Sequence, residues 1–96
     1  MARGAWREEG PGRRSIDLHG LDRESARRVV LDALDACRRD GVPKLRIVHG
    51  KGTGVLRDEV RYLLDGHGAV DEYHGAKPRD GGEGAVEVRI RCGSGR

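Results

Sequence analysis

The chain predicts an α/β fold: a two-layer βαβαββ sandwich, with a four-stranded mixed sheet as one layer and two helices as the other. Three observations carry that expectation. Two stretches repeat apolar residues at helical spacing, and each follows a short apolar strand-like run. The joins between these segments are short, which favours a parallel strand pair with a right-handed crossover. Residues 85–90 alternate, with Val86, Val88 and Ile90 on one face and Glu87 and Arg89 on the other. That is the pattern of a half-solvated strand lying antiparallel to its neighbour. A length of 96 residues suits one small domain with a modest core.

The elements follow in order. Residues 1–14 are rich in Gly and Arg, contain Pro11 and show no periodicity. They read as a flexible basic arm or linker, with Trp6 its one apolar anchor. The domain is expected over residues 15–91. Ile16 to His19 reads as the first strand, ended by Gly20. Asp22 is placed to cap the first helix, and Glu24 in the first turn favours the positive end of its dipole. Ala26, Val29, Val30, Ala33, Leu34 and Cys37 give this helix its apolar stripe, and Gly41 and Pro43 stop it. Lys44 to Val48 is the second strand. A glycine-rich turn, His49-Gly50-Lys51-Gly52-Thr53-Gly54, comes next, with Thr53 the expected N-cap of the second helix. Leu56, Val60, Leu63 and Leu64 form one face of that helix, and Gly66 ends it. Ala69 to His74 is a third strand with a weaker pattern. Residues 75–84 read as a mobile loop and residues 92–96 as a disordered tail.

Composition narrows the function. Apolar residues make up 35% and charged residues 36%, so the core must be economical and no deep cavity for a large cofactor is expected. The three aromatic residues, Trp6, Tyr62 and Tyr73, are too few for a broad base-stacking platform. The net charge is +3, but four basic and two acidic residues of that balance fall within the first fourteen. The remainder is nearly neutral, so a nucleic-acid site must come from local clustering. Cys37 lies on a helical apolar stripe, and no CxxC spacing suggests zinc. No signal-peptide core or membrane-length apolar run is present. A reducing, cytoplasmic setting with no membrane partner fits these features.

Two segments can do chemistry together. Parallel strands end at the same sheet edge, where ligands of open α/β sheets bind. One strand delivers Asp17, His19 and Gly20 there; the other delivers His49 to Gly54. Gly50, Gly52 and Gly54 permit close backbone approach to a phosphate, with Thr53 beside them and a helix N-terminus behind. The spacing is not that of a P-loop or a GxGxxG fingerprint, so no bound nucleotide is expected. Phosphodiester cleavage needs a base, an acid and a fixed positive charge. His49 and His19 can fill either proton role, and Lys51 the charge role. Asp17 can orient a histidine or bind a divalent ion such as Mg2+ or Mn2+. Arg46, Arg57 and Arg61, with Arg38, Arg39 and Lys44, can contact a polymer backbone. Each residue alone has a plainer use: a strand-end histidine caps, Asp17 accepts loop N–H groups, and Lys51 is solvated. A catalytic turn and a phosphate cradle without catalysis both stay open.

The combination Ile16-Asp17-Leu18-His19-Gly20, an amphipathic helix, Ile47-Val48-His49-Gly50-Lys51-Gly52-Thr53-Gly54, and a Gly-rich loop before the last strand resembles the Smr (small MutS-related) domain. The resemblance covers residues 16 to about 91. It implies a fold like the C-terminal domain of bacterial translation initiation factor three: a four-stranded mixed sheet of order 1-2-4-3 with both helices on one face. It also implies nuclease activity, nicking DNA or cleaving RNA, linked to recombination suppression, DNA repair or rescue of ribosomes. The family's first motif falls on Asp17, His19 and Gly20, and its second on His49, Gly50, Lys51, Gly52, Thr53 and Gly54. Versions in the second bacterial MutS paralogue often carry arginine where this chain has His19, while stand-alone versions often carry histidine. The Arg-rich arm favours the paralogue's C-terminal domain, so the two hints point to different parents.

Overall fold

The computed structural model describes residues 6–52, 54–77 and 84–91. In chain order the elements are β1 (Trp6–Glu8), β2 (Arg13–Asp17), α1 (Arg23–Asp40), β3 (Lys44–Val48), α2 (Val55–Asp65), β4 (Val70–Gly75) and β5 (Ala85–Ile90). Among the described residues the sheet has five strands, in the order β1-β2-β3-β5-β4. β2 and β3 run parallel, and β5 is antiparallel to both β3 and β4. Without β1 this is the expected 1-2-4-3 sheet.

β1 corrects two expectations, the four-strand count and the part of the flexible arm that falls on residues 6–14. Trp6 to Glu8 pairs antiparallel with Arg14 to Ile16, and the Glu9 N–H donates to the Arg13 carbonyl at 2.9 Å to close the hairpin. The physical anchor is Arg14, one of the few charged side chains that the fold buries. Its Nε donates to Glu8 at 2.9 Å and its Nη2 to Asp40 at 3.0 Å, while its guanidinium lies 4.9 Å from the centre of the Trp6 ring. A three-residue strand of WRE has no readable periodicity, so only these long-range partners reveal it. The next strand accordingly starts at Arg13 and ends at Asp17, rather than running from Ile16 to His19. Residues 1–5, most of the expected loop (78–83) and the tail (92–96) lie outside the described residues.

The helices form where the sequence places them. The Asp22 carboxylate accepts the Ser25 N–H at 2.9 Å, and the Gly41 N–H closes the last turn on Arg38 and Cys37. Ala26, Val30, Ala33, Leu34 and Cys37 of α1, with Val60, Leu63 and Leu64 of α2, pack on Ile16, Leu45, Ile47, Val86, Val88 and Ile90 of the sheet. Burying these apolar surfaces is the main favourable term for a chain of this size. Along β3, Leu45 and Ile47 face the helices, whereas Lys44 and Arg46 face outward. The outward sheet face carries ion pairs instead of a second helical layer: Arg13–Glu87 at 3.1 Å, Arg46–Glu87 at 3.0 Å and Arg89–Glu72 at 3.1 Å. Among the described residues no helix is long and apolar enough to cross a membrane.

Candidate functional site

β2 and β3 end side by side, with Asp17 opposite Val48, and the Leu18 N–H extends the pairing to the Val48 carbonyl at 2.8 Å. The two motifs therefore meet. His19 Cβ lies 4.0 Å from where a Cβ on Gly50 would stand. Gly50 has φ +86°, a conformation that side chains other than glycine rarely adopt, so glycine is what lets the turn fold against His19. His19, His49, Lys51 and Arg57 line one open hollow of about 340 Å³, with Gly50, Gly52, Gly54 and Leu56 completing its walls.

The two histidines are held differently. His49 is buried, at 7% exposure, and its Nδ1 lies 2.8 Å from the Gly50 carbonyl oxygen. A carbonyl only accepts, so Nδ1 carries the hydrogen and the neutral ring keeps its lone pair on Nε2. The His19 side chain is 79% exposed, and its Nδ1 lies 3.1 Å from Asp17 Oδ1. The same oxygen accepts the His19 backbone N–H at 3.0 Å. That backbone bond, followed by the bond from the ring, holds the Asp17 carboxyl below the usual carboxylate range despite some desolvation. An ionised Asp17 orients His19 with Nδ1 donating, which leaves Nε2 for chemistry. Two imidazoles with fixed Nδ1 partners beside one hollow can supply the base and the acid of a phosphoryl reaction.

The positive side of the site comes from Lys51, Arg57 and the start of α2. The cap of α2 is Gly54 (φ 92°), not the expected Thr53, which lies outside the described residues. A glycine cap has no side chain to fill the anion cradle at the helix start. Arg57 folds back over this turn, its Nη2 only 2.9 Å from where a Gly54 Cβ would lie, so a side chain at 54 would displace it. α1 starts at the same edge, where the Asp22 carboxylate accepts the Ser25 N–H. One expected phosphate contact is altered. The Gly50 N–H donates to the Gly84 carbonyl at 2.9 Å, so Gly50 contributes shape rather than an N–H donor.

The remaining cations divide. Arg61 is exposed on α2, one turn beyond Arg57. Arg46 sits on the outward sheet face, paired with Glu87 and, at 3.5 Å, with Glu9, so it does not join the hollow. Arg38 and Arg39 fall in the last turn of α1, at the far end of the sheet. Asp17 borders a second hollow with Arg7, Ser15 and Arg46. Among the described residues no group of three or more His, Cys, Asp or Glu side chains could hold a metal ion. Asp17 Oδ1 already accepts from the His19 N–H and faces the His19 ring. Gly84 was not legible as a site residue, since a lone glycine at the end of a Gly-rich loop carries no signal.

Comparison with known proteins agrees with this fold. The family model described as the Smr domain matches residues 16–91. Endonuclease MutS2 of Lactiplantibacillus plantarum is 40% identical over 77 residues, which is 80% of this chain and 10% of that protein. Endonuclease MutS2 of Thermus thermophilus is 38% identical over 78 residues, 81% of this chain and 10% of that protein. The chain thus spans about a tenth of the length of the curated relatives it matches. The crystal structure of the Smr domain of Thermus thermophilus MutS2 superposes with a TM-score of 0.78 at 39% identity, over 80% of this chain and 96% of that one. YdaL, a stand-alone small MutS-related protein from Escherichia coli, gives 0.77 at 30% identity, over 80% of this chain and 63% of that one.

Proposed function

The chain belongs to the Smr domain family, and on that premise we propose that it is a nucleic-acid endonuclease domain that nicks DNA or cleaves RNA. The observation that carries this reading is the pair of imidazoles, each held through Nδ1, beside one hollow with Lys51 and Arg57. Nε2 of one histidine takes a proton from the nucleophile, a water or a 2′-hydroxyl, and the other gives one to the leaving oxygen. Lys51, Arg57 and the glycine-capped start of α2 stabilise charge on the phosphorane. His49 is the better base, because burial and the Gly50 carbonyl fix its ring; exposed His19 is suited to the leaving group. In this reading the domain works in the cytoplasm, on DNA in repair and recombination or on RNA at the ribosome, within a MutS-like parent or as a stand-alone protein.

The test is cleavage of labelled DNA and RNA by the wild type and by His49→Ala, each with and without EDTA. Loss of an acid–base group lowers the rate by about 10²–10⁴-fold. Full activity in His49→Ala would remove the site assignment. Activity that survives EDTA supports histidine chemistry, whereas complete dependence on added Mg2+ or Mn2+ calls for a metal held jointly with substrate. A binding-only reading is favoured by one observation, that Gly54 and Arg57 can hold an anion without either histidine. It predicts salt-sensitive binding with no turnover under any of these conditions.

A further inference from the structure

The turn that carries His49 is held by a single atom from a distant part of the chain. The Gly84 carbonyl, just before β5, accepts the His49 N–H at 2.8 Å and the Gly50 N–H at 2.9 Å. A carbonyl oxygen has two lone pairs, and both are engaged. These bonds fix two consecutive peptide planes. They flank the His49 Cα, and the Gly50 carbonyl that holds the His49 ring at 2.8 Å belongs to the next plane, whose carbon lies 3.4 Å from where a Gly84 Cβ would stand. A side chain at Gly84 would also press on Lys51. A Cβ there would lie 3.3 Å from Lys51 Cγ and 3.4 Å from the Gly50 carbonyl carbon. Its φ lies outside the left-handed region, so alanine would meet crowding and no backbone penalty.

We infer that Gly84 is the positioning residue of the site: its carbonyl sets the His49 tautomer through Gly50, and its missing side chain seats Lys51. The start of β5 is thereby fastened to the acid–base group of the opposite turn. This inference rests on the proposed acid–base role for its effect on rate, but its effect on the His49 ring stands without it. Gly84 touches no substrate and acts only through Gly50, His49 and Lys51. The crowding of Lys51 Cγ has a second consequence. Shortening residue 51 removes the nearest atom, so the disturbance from a residue-84 side chain is relieved by Lys51→Ala.

The experiment uses ¹⁵N-labelled protein and long-range ¹⁵N–¹H spectra, which separate the two imidazole tautomers. The expected wild-type His49 signature is hydrogen on Nδ1. Gly84→Ala is expected to shift that ring toward mixed tautomers while the Val86, Val88 and Ile90 core signals stay in place. The double variant Gly84→Ala with Lys51→Ala is expected to restore the Nδ1–H signature. On a labelled oligonucleotide, Gly84→Ala is expected to lower kcat by about tenfold or more, as a small misplacement of a reacting group does, with KM within about twofold. A wild-type ring signature in Gly84→Ala overturns the inference, and so does a ring shift that Lys51→Ala fails to relieve. If Gly84→Ala loses the core signals, the Nδ1–H signature in wild type and Lys51→Ala decides: hydrogen on Nε2 in wild type overturns the inference. Absence of cleavage by the wild type counts against the endonuclease reading, and the role of Gly84 is then decided by the ring signature alone.

Discussion

His49 and His19 show how one side-chain type is prepared in two ways. His49 is buried and tied to a carbonyl of its own turn, while His19 is exposed and tied to a carboxylate two residues back. Asp17 is the residue through which pH should act on stability. Its folded pKa is lowered, first by the His19 N–H and then by the His19 ring, with Arg7 adding attraction. A lowered carboxylate pKa stabilises the fold above the unfolded value, about 3.9, and that contribution is lost as pH falls through the folded pKa. Asp17→Asn is therefore expected to be less stable than wild type at pH 6, with the gap closing in acid. Urea melts at both pH values check this, and equal gaps at both would remove the assignment. The same variant is expected to slow cleavage, because His19 loses the group that orients it.

At the scale of elements, capping and face pairing do the structural work, and both were legible locally. Asp22 and Gly41 bound α1 as the sequence suggested. α2 differed at its start because Gly54 takes the cap position, and N-cap preferences rank glycine level with threonine and so do not choose between 53 and 54. A feature that no local pattern displays joins α2 to β4: the Tyr73 hydroxyl donates to Asp65 at 2.6 Å. That bond raises the Tyr73 pKa, with burial adding to it. The neutral hydroxyl is the donor, so its contribution holds below the unfolded value near 10 and disappears as pH rises through the raised folded pKa. Tyr73→Phe is expected to cost about 0.5–1 kcal/mol at neutral pH, since solvent screens an exposed pair. Denaturation of the two proteins at pH 7 and pH 11 should show a difference that shrinks at the higher pH.

For the whole molecule, the hairpin of β1 and β2 extends the sheet beyond the residues matched by the family model. Arg14 links its own strand to β1, at Glu8 and the Trp6 ring, and to the end of α1 at Asp40. Removing such a buried guanidinium leaves its partners unmatched. Arg14→Ala is expected to cost roughly 1.5–3 kcal/mol. For a domain of this length each kcal/mol lowers Tm by about 4–8 °C. Calorimetry on the full chain measures this, and a Tm within a degree of wild type would show that β1 is not clasped by Arg14.

Both motifs, the helix stripes, the alternation of β5 and the parallel β2–β3 pair were readable because they are written in neighbouring residues. Periodicity states which face is buried, and spacing states which side chains share a strand end. The sequence alone thus determined the sandwich and the gathering of Asp17, His19, His49 and Lys51 at one edge. Only the tertiary structure decided what those groups can do. Register across the sheet brought Glu87 to Arg46 from 41 residues away and withdrew that arginine from the site. It also brought the Gly84 carbonyl to the turn at His49, where it occupies an N–H that the glycine pattern had assigned to phosphate. Such pairings depend on chain closure over long distances, where the partner is fixed by packing of the whole sheet and not by any local preference.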